Sequence, residues 1–181
     1  MGKLNFKSVT KTQWPDFEAL FESPGAPKYC WCMAWRTTPA EAQAAPRGSD
    51  RKPLMKSRIV TGTTVGLVGY LEGEPAAWVS IAPRDTYRDL GGPEAEQGEK
   101  IWSLACMYIH RKLRGEGHSV ELIKAAKAYA KKRGGTVLEA YPVDPKSPSY
   151  RFMGFVPAFE RLGFKEIGKA GSRRHVMRLS L

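Results

Sequence analysis

Cysteine and histidine are scarce in this chain, and their spacing excludes two kinds of structural site. The 181 residues include three cysteines and three histidines. An odd number of cysteines argues against a disulfide framework, and Cys30 and Cys32 are too close in sequence for an intrachain bridge of ordinary geometry. Neither Cys106 nor any histidine has the paired spacing that is typical of zinc ligands. We therefore predict free thiols in a reducing compartment and no metal site.

Long apolar runs are also missing. No stretch approaches the ~20 apolar residues that a membrane-spanning helix needs, and the segment from Met1 to Phe6 has no apolar core of a signal peptide. We expect a cytoplasmic protein with no membrane partner. Hydrophobic residues make up 42% of the chain, which is enough for a folded core. The length fits a single domain over residues 1–181.

The segment from Ile101 to Arg133 is the most informative part of the chain. The bulky apolar run Ile101–Ile109 predicts a buried strand. Gly115 and Gly117 follow in a turn, and from Val120 onward apolar residues recur at helical spacing. Glycines let the backbone approach an anion, and the first N–H groups of a helix have no partner inside the helix. The segment therefore predicts a strand, an anion-binding turn and an amphipathic helix.

This turn resembles the pyrophosphate loop of the GNAT superfamily of acetyl-CoA-dependent N-acetyltransferases. The family loop reads Arg/Gln-x-x-Gly-x-Gly/Ala, and residues 114–119 match it, with Ser119 at the last position instead of Gly or Ala. The glycine spacing differs from that of nucleotide-hydrolysing P-loops and of dinucleotide-binding loops.

The resemblance covers most of the chain. Residues 73–84 look like the third strand of the family and residues 136–144 like its fifth strand. Residues 158–164 match the late family signature Tyr-Glu-x-Leu-Gly-Phe, with Phe159 at the tyrosine position. The resemblance implies a mixed α+β fold, in which a central twisted mixed sheet of about six or seven strands is flanked by about four helices.

The same resemblance implies acetyl-CoA as the co-substrate. The loop would hold the pyrophosphate, and the backbone at the end of the preceding strand would pair with the pantetheine arm. The implied cofactor-binding residues are Met107, Tyr108, Ile109, Arg114, Gly115, Glu116, Gly117, His118 and Ser119.

The formal net charge of +11 allows three interpretations. A basic patch can bind nucleic acid, it can be a solvated helix face, or it can steer an anionic cofactor. Aromatic residues do not alternate with the lysines of the helix after Val120, so a base-stacking surface is not indicated. We assign Arg111, Lys112 and Arg114 to the cofactor and the helical lysines to solvent, and we expect no nucleic-acid partner.

The aromatic, thiol-containing segment from Tyr29 to Arg36 is the second candidate region. In GNAT enzymes the stretch between the first two helices usually lines the acceptor pocket, and aromatic rings can hold an apolar amine or a cation. The alternative is a core plug, since aromatic residues more often pack than bind. Similar Cys-Trp-Cys-Met-x-Trp-Arg segments occur in a bacterial subset of the family. The candidate pocket residues are Tyr29, Cys30, Trp31, Cys32 and Trp35.

The family chemistry is direct attack of an unprotonated amine on the thioester of bound acetyl-CoA. A backbone N–H near Met107 or Tyr108 would hold the oxyanion. Because Phe159 replaces the tyrosine that usually protonates the leaving thiolate, Tyr150 and Tyr141, then Ser149, are the candidate acids.

The predicted strand before the loop has no carboxylate that could serve as the base. Glu139 on the fifth strand or a water chain is therefore the candidate base, and Glu139 could instead simply pair with an arginine. A covalent role for Cys30 or Cys32 is a further alternative, although no histidine is close in sequence to activate either thiol.

Three functions follow from these patterns. The leading hypothesis is transfer of acetyl from acetyl-CoA to the primary amine of a small molecule or peptide. The second is a non-catalytic, acyl-CoA-binding regulatory module, which the missing tyrosine would fit. The third is a basic nucleic-acid-binding protein. The sequence leaves the oligomeric state open, a homodimer included.

Overall fold

Seven strands and five α-helices form the structure, a computed structural model that describes residues 2–181. The strands are β1 (Asn5–Ser8), β2 (Gly66–Leu71), β3 (Glu74–Pro83), β4 (Ile101–Ile109), β5 (Val137–Ala140), β6 (Lys165–Ala170) and β7 (Arg174–Ser180). The helices are α1 (Trp14–Glu22), α2 (Pro39–Ala44), α3 (Gly48–Val60), α4 (His118–Lys132) and α5 (Val156–Glu160). The predicted mixed α+β fold with a central sheet is confirmed.

Local sequence signals set several element boundaries. Thr38 caps α2 by accepting a hydrogen bond from the Glu41 backbone N–H at 3.2 Å, and Pro39 occupies the first turn. The β2–β3 hairpin turns at Glu72 and Gly73, which both have positive φ angles, as a tight hairpin turn requires. Gly117 precedes α4 with φ of +83°, so the chain enters this helix in a left-handed conformation that favours glycine.

The sheet order is β1-β2-β3-β4-β5-β7-β6, and every neighbouring pair is antiparallel except β4 and β5. Helices cover both faces of the central strands, which explains why β2, β3 and β4 are almost continuously apolar. On one face, α4 packs Leu122 and Ala126 against Val79 and Leu104. On the other face, an aromatic cluster from α1 packs on Trp78.

Strands β4 and β5 separate part-way along β4, and this separation positions the site. They pair from Ile101 with Val137 as far as Leu104 with Ala140. Beyond that point the chain after β5 turns toward β7, where Val143 bridges Arg174. Within residues 2–181, no strand pairs with Ala105–Ile109 on the β5 side. The last five residues of β4 therefore offer backbone groups to a cleft.

A bulge at Ala105 marks the start of this free edge. Ser80 of β3 faces Cys106, but the next residue, Ile81, faces Leu104, so Ala105 has no directly opposite partner. Such a bulge bends its strand and redirects its backbone groups. Among residues 2–181, no helix is both long and apolar enough to cross a membrane.

Candidate active site

A cavity of about 680 Å³ follows the free edge of β4. One end is formed by the turn before α4, and the other end by the segment after α1. The middle is lined by Ala105, Cys106, Met107, Tyr108 and Ile109. Gly154 lies in the opposite wall, where an added Cβ would come within 2.6 Å of the Met107 side chain. Met107 and Gly154 are therefore close neighbours in the cavity lining.

The turn before α4 provides the polar end of the cavity. Gly115 and Gly117 have φ angles of +88° and +83°, and a Cβ added at either would meet nothing within 4 Å. The glycines are therefore needed for the backbone conformation, and they leave the approach to the helix N-terminus open. The unpaired N–H groups and the dipole of α4 favour an anion at this point.

Arg114 and His118 flank this turn. The Nε of Arg114 donates to the Ile109 carbonyl at 3.1 Å, which ties the guanidinium to the end of β4. His118 is 1% exposed, and its Nδ1 lies 2.8 Å from Glu121 while its Nε2 has no hydrogen-bond partner. Arg114, Gly115, Gly117, His118 and Ser119 all line the cavity, as do Met107, Tyr108 and Ile109. Glu116 does not line it and points its carboxylate toward His118 at 3.4 Å.

The segment after α1 divides between the cavity and the core. Tyr29, Cys30, Cys32 and Trp35 line the cavity. Trp31 does not: it is 3% exposed and stacks on Phe21 with ring centroids 5.5 Å apart. The segment therefore contributes both to the cavity wall and, through Trp31 and Met33, to the core. Trp31 and Cys32 have φ angles of +47° and +52°, a left-handed conformation that strains non-glycine residues.

Three thiols with different environments lie in this part of the cavity. Cys32 accepts a hydrogen bond from the Trp78 indole N–H, with nitrogen and sulfur 3.3 Å apart. A hydrogen bond from the Cys106 thiol, the nearby Arg36 guanidinium and the Trp78 bond lower the pKa of Cys32 to about 7 despite burial. The same thiol–thiol bond and burial raise the pKa of Cys106. Burial and the charge of Cys32 raise the pKa of Cys30 to about 12.

Behind these thiols lies a buried cation. Arg36 is 4% exposed, and one terminal nitrogen donates to the Val65 carbonyl at 2.7 Å, to Ser80 at 2.8 Å and to the Tyr87 hydroxyl at 2.7 Å. Its Nε and other terminal nitrogen have no hydrogen-bond partner. Burial raises the pKa of Tyr87 to about 12, so this hydroxyl stays neutral. Within residues 2–181, no carboxylate lies within ion-pair distance of Arg36.

Glu139 and Tyr141 form a separate buried network that does not line the cavity. Glu139 is 0% exposed and accepts from Arg178 at 2.7 Å, from Arg84 at 3.3 Å and from the Tyr141 hydroxyl at 2.5 Å. Burial and the charge of Glu139 raise the pKa of Tyr141. Both arginines also donate to the Pro93 carbonyl, so the network fastens the loop between β3 and β4.

Neither Tyr150, a candidate acid, nor Phe159, which occupies the family tyrosine position, lines the cavity. Tyr150 is 38% exposed, and its ring lies 6.5 Å from that of Trp35, at the rim. Phe159 is 0% exposed and packs edge-on against Phe164. The cavity wall therefore has no phenol at the position where the family signature has tyrosine.

Several cavity residues were not identified from the sequence. They are Ser80, Tyr87, Phe152, Gly154 and Phe155, together with Arg36 behind the wall. Ser80 had one recognisable signal, a lone hydroxyl inside the apolar run of β3. Tyr87 lies in the long loop after β3, and nothing in its local sequence relates it to Arg36.

Comparison with known proteins identifies the family. A family model described as Acetyltransferase (GNAT) family matches residues 7–164. The chain belongs to the acetyltransferase (GNAT) family. The matched residues of this GNAT chain extend from β1 through the cavity to the end of the late signature. No curated protein matches the chain.

Solved structures share the GNAT fold at low sequence identity. The PaiA N-acetyltransferase of Thermoplasma acidophilum, in complex with coenzyme A, is 14% identical with a TM-score of 0.57, and the alignment covers 99% of each chain. The Drosophila melanogaster polyamine N-acetyltransferase, which forms N-acetylagmatine, is 15% identical with a TM-score of 0.56 and covers 99% of this chain and 100% of its own. An aminoglycoside acetyltransferase in complex with coenzyme A is 14% identical with a TM-score of 0.58, covering 98% and 95%. At these identities the likeness concerns the fold.

Proposed function

We propose that this protein transfers an acetyl group from acetyl-CoA to a primary amine by direct attack within a ternary complex. One observation carries the proposal: a single cavity connects the anion-binding turn before α4, the unpaired edge of β4 and the aromatic segment after α1. Those three parts match the three needs of the reaction, which are to hold the pyrophosphate, align the thioester and receive the amine. Relatives of the same fold bind coenzyme A or acetylate amines.

The cofactor fits the residues present. Gly115 and Gly117 leave the approach to the α4 N-terminus open, and Arg114 supplies a charged donor beside it. The hydroxyl of Ser119 is a further donor at this end. The free backbone groups of Met107–Ile109 would pair with the amides of the pantetheine arm as an added strand does.

Catalysis in this arrangement depends mainly on positioning. A backbone N–H of β4 near Met107 or Tyr108 would stabilise the oxyanion that forms when the amine attacks the thioester carbon. The departing CoA thiolate would receive its proton from solvent, since Phe159 offers none. Glu139 and Tyr141 are engaged in their own buried network, and we give them a structural role. We also propose that this chain groups with the bacterial subset of the family that shares the pattern of residues 30–36.

The first experiment is a calorimetric titration with acetyl-CoA and, separately, with desulfo-CoA, followed by a thiol-release screen over an amine library. We expect micromolar binding of both and amine-dependent thiol release. Arg114→Ala should weaken binding by roughly 1–3 kcal/mol, the range for a lost charge-assisted hydrogen bond. Arg161→Ala, an exposed arginine outside the cavity lining, is the matched control and should bind normally.

Each outcome has a distinct meaning. Failure to bind either compound would refute the transferase and return attention to the basic surface. Binding without thiol release from any amine would favour a non-catalytic acyl-CoA-binding module, which the buried Phe159 at the tyrosine position makes the second candidate.

A further inference from the structure

The acceptor end of the cavity has no carboxylate, and this restricts the choice of base. No aspartate or glutamate lines the cavity within residues 2–181. The titratable groups at this end are Tyr29, Cys30, Cys32, Tyr87 and Cys106. A base for the acceptor nitrogen must therefore be a water molecule or one of these side chains.

Cys32 differs from the other two thiols because an indole N–H donates a hydrogen bond to its sulfur. The donor is Trp78 of β3 at 3.3 Å, and Cys106 of β4 lines the same cavity. The polar groups around the Cys32 sulfur, Cys106 first among them, favour its charged form and lower the pKa of Cys32 to about 7.

The unpartnered cation behind the wall strengthens this assignment. Arg36 is buried, it has no carboxylate partner, and two of its nitrogens make no hydrogen bond. A buried guanidinium without a counter-ion is strongly unfavourable. A thiolate at Cys32 supplies the missing negative charge, and the Arg36 charge acts on both Cys32 and Cys106.

The backbone at this point is strained as well. Trp31 and Cys32 both occupy the left-handed region, where non-glycine residues are destabilised by about 1–3 kcal/mol each. The stacking of Trp31 in the aromatic core holds this conformation and directs the next side chain to the cavity. The fold thus maintains an unfavourable backbone conformation that places one thiol beside Trp78 and Cys106.

We propose that the Cys32 thiolate is the general base of the acetyl transfer, an inference that rests on the proposed function. The thiolate takes a proton from the acceptor nitrogen as the C–N bond forms at the thioester carbon. The C–S bond then breaks, its electron pair stays on the CoA sulfur, and the Cys32 proton passes through solvent to that thiolate. A protonated acceptor first loses its extra proton to solvent, so no other reactant is consumed.

Every charged or titratable group around Cys32 bears on the expected pH dependence. Cys30 and Tyr29 are on its own segment and remain neutral near pH 7, since burial raises the pKa of both. Cys106 of β4 and Tyr87 after β3 also remain neutral. Arg36 contributes the positive charge, and Arg51 of α3 acts on Cys30. Cys32 alone among these thiols and phenols should change charge around pH 7.

The test combines thiol alkylation with a pH–rate profile. First, iodoacetamide labelling mapped by peptide mass spectrometry on the unmodified protein should show Cys32 reacting half-maximally near pH 7, with Cys30 unreactive there. Second, kcat/KM with an aromatic amine that stays neutral over the assayed range should rise through pH 7 and level off above it. The Cys32→Ser variant should lose this acidic limb and about 100-fold or more of kcat, with unchanged acetyl-CoA affinity. Cys30→Ser should keep the limb.

Several results would overturn the assignment. They are alkylation of Cys32 only at the pH of an ordinary thiol, a Cys32→Ser variant with the original rate and limb, or an acetyl group found on Cys32 after acid quench. The last would make Cys32 a nucleophile. If the unmodified protein binds acetyl-CoA but acetylates no amine, the proposed function itself fails together with the base. The labelling experiment needs neither acceptor nor turnover, so the two failures are distinguishable.

Discussion

At the scale of single residues, Glu139 shows how a buried carboxylate can serve structure. Among residues 2–181 it is the one buried aspartate or glutamate, and it is held by Arg84, Arg178 and Tyr141. An added Cβ at Gly92 would come within 2.3 Å of its carboxylate oxygen, so the loop packs directly on the charge. The network therefore joins β5, β7 and the loop after β3.

We predict that Glu139→Gln destabilises the protein by about 1–3 kcal/mol, since half-buried Arg84 loses its carboxylate partner and Arg178 keeps only Glu99. Urea unfolding followed by tryptophan fluorescence measures this change. Glu160→Gln, an exposed glutamate, is the control and should be neutral. If Glu139→Gln were fully stable but inactive, the carboxylate would have a catalytic role instead.

At the scale of elements, the start of α4 depends on a glycine for two separable reasons. Gly117 has a positive φ, which costs any β-branched residue, and it lines the cavity, which a side chain would fill. Gly62 provides a matched comparison: its φ is +84°, an added Cβ meets nothing within 4 Å, and it follows α3 outside the cavity lining.

Gly117→Val and Gly62→Val should therefore lose similar stability, about 1–3 kcal/mol each, but only Gly117→Val should lose acetyl-CoA affinity. Thermal unfolding and calorimetric titration of both variants separate the two effects. Normal acetyl-CoA binding by a folded Gly117→Val would show that this turn does not hold the cofactor.

At the scale of the whole molecule, charge distribution predicts selectivity among acceptors. Among residues 2–181 the cavity lining contains Arg151 and no carboxylate, and Arg174 lies over the ring of Trp35 in the acceptor segment at 4.6 Å. A second ammonium group on the acceptor would meet like charge at this end, which costs several kcal/mol where desolvated.

We expect pentylamine to exceed cadaverine, the same chain with one more amine, by at least about tenfold in kcat/KM at low salt. Added salt should narrow the difference, because screening weakens the repulsion. Initial rates by thiol release, with both amines at matched concentrations, test this. A preference for cadaverine would contradict this prediction, because it requires a carboxylate beside the acceptor, and none lines the cavity among residues 2–181.

The sequence by itself determined the element types, the glycine turn before α4 and the family. These features depend on local spacing: Ile101–Ile109 is apolar throughout, Gly115 and Gly117 stand before a helical pattern, and the family loop can be read from consecutive residues. The sequence also indicated residues 29–36 as the candidate acceptor segment. The sequence could not show which of these residues line the cavity and which belong to the core. That distinction depends on the left-handed backbone at Trp31 and Cys32, which in turn depends on packing against α1 and Trp78.

Only the tertiary structure decided which polar groups meet. Glu139 and Arg178 are distant in sequence from Arg84, and Arg36 reaches Ser80 and Tyr87 across three segments. The sequence offered Glu139, Tyr141 and Tyr150 as catalytic groups by region alone, and the structure places them outside the cavity lining. Long-range contacts set burial and hydrogen bonding, and these in turn lower the pKa of Cys32. A pattern of neighbouring residues carries no information on such contacts.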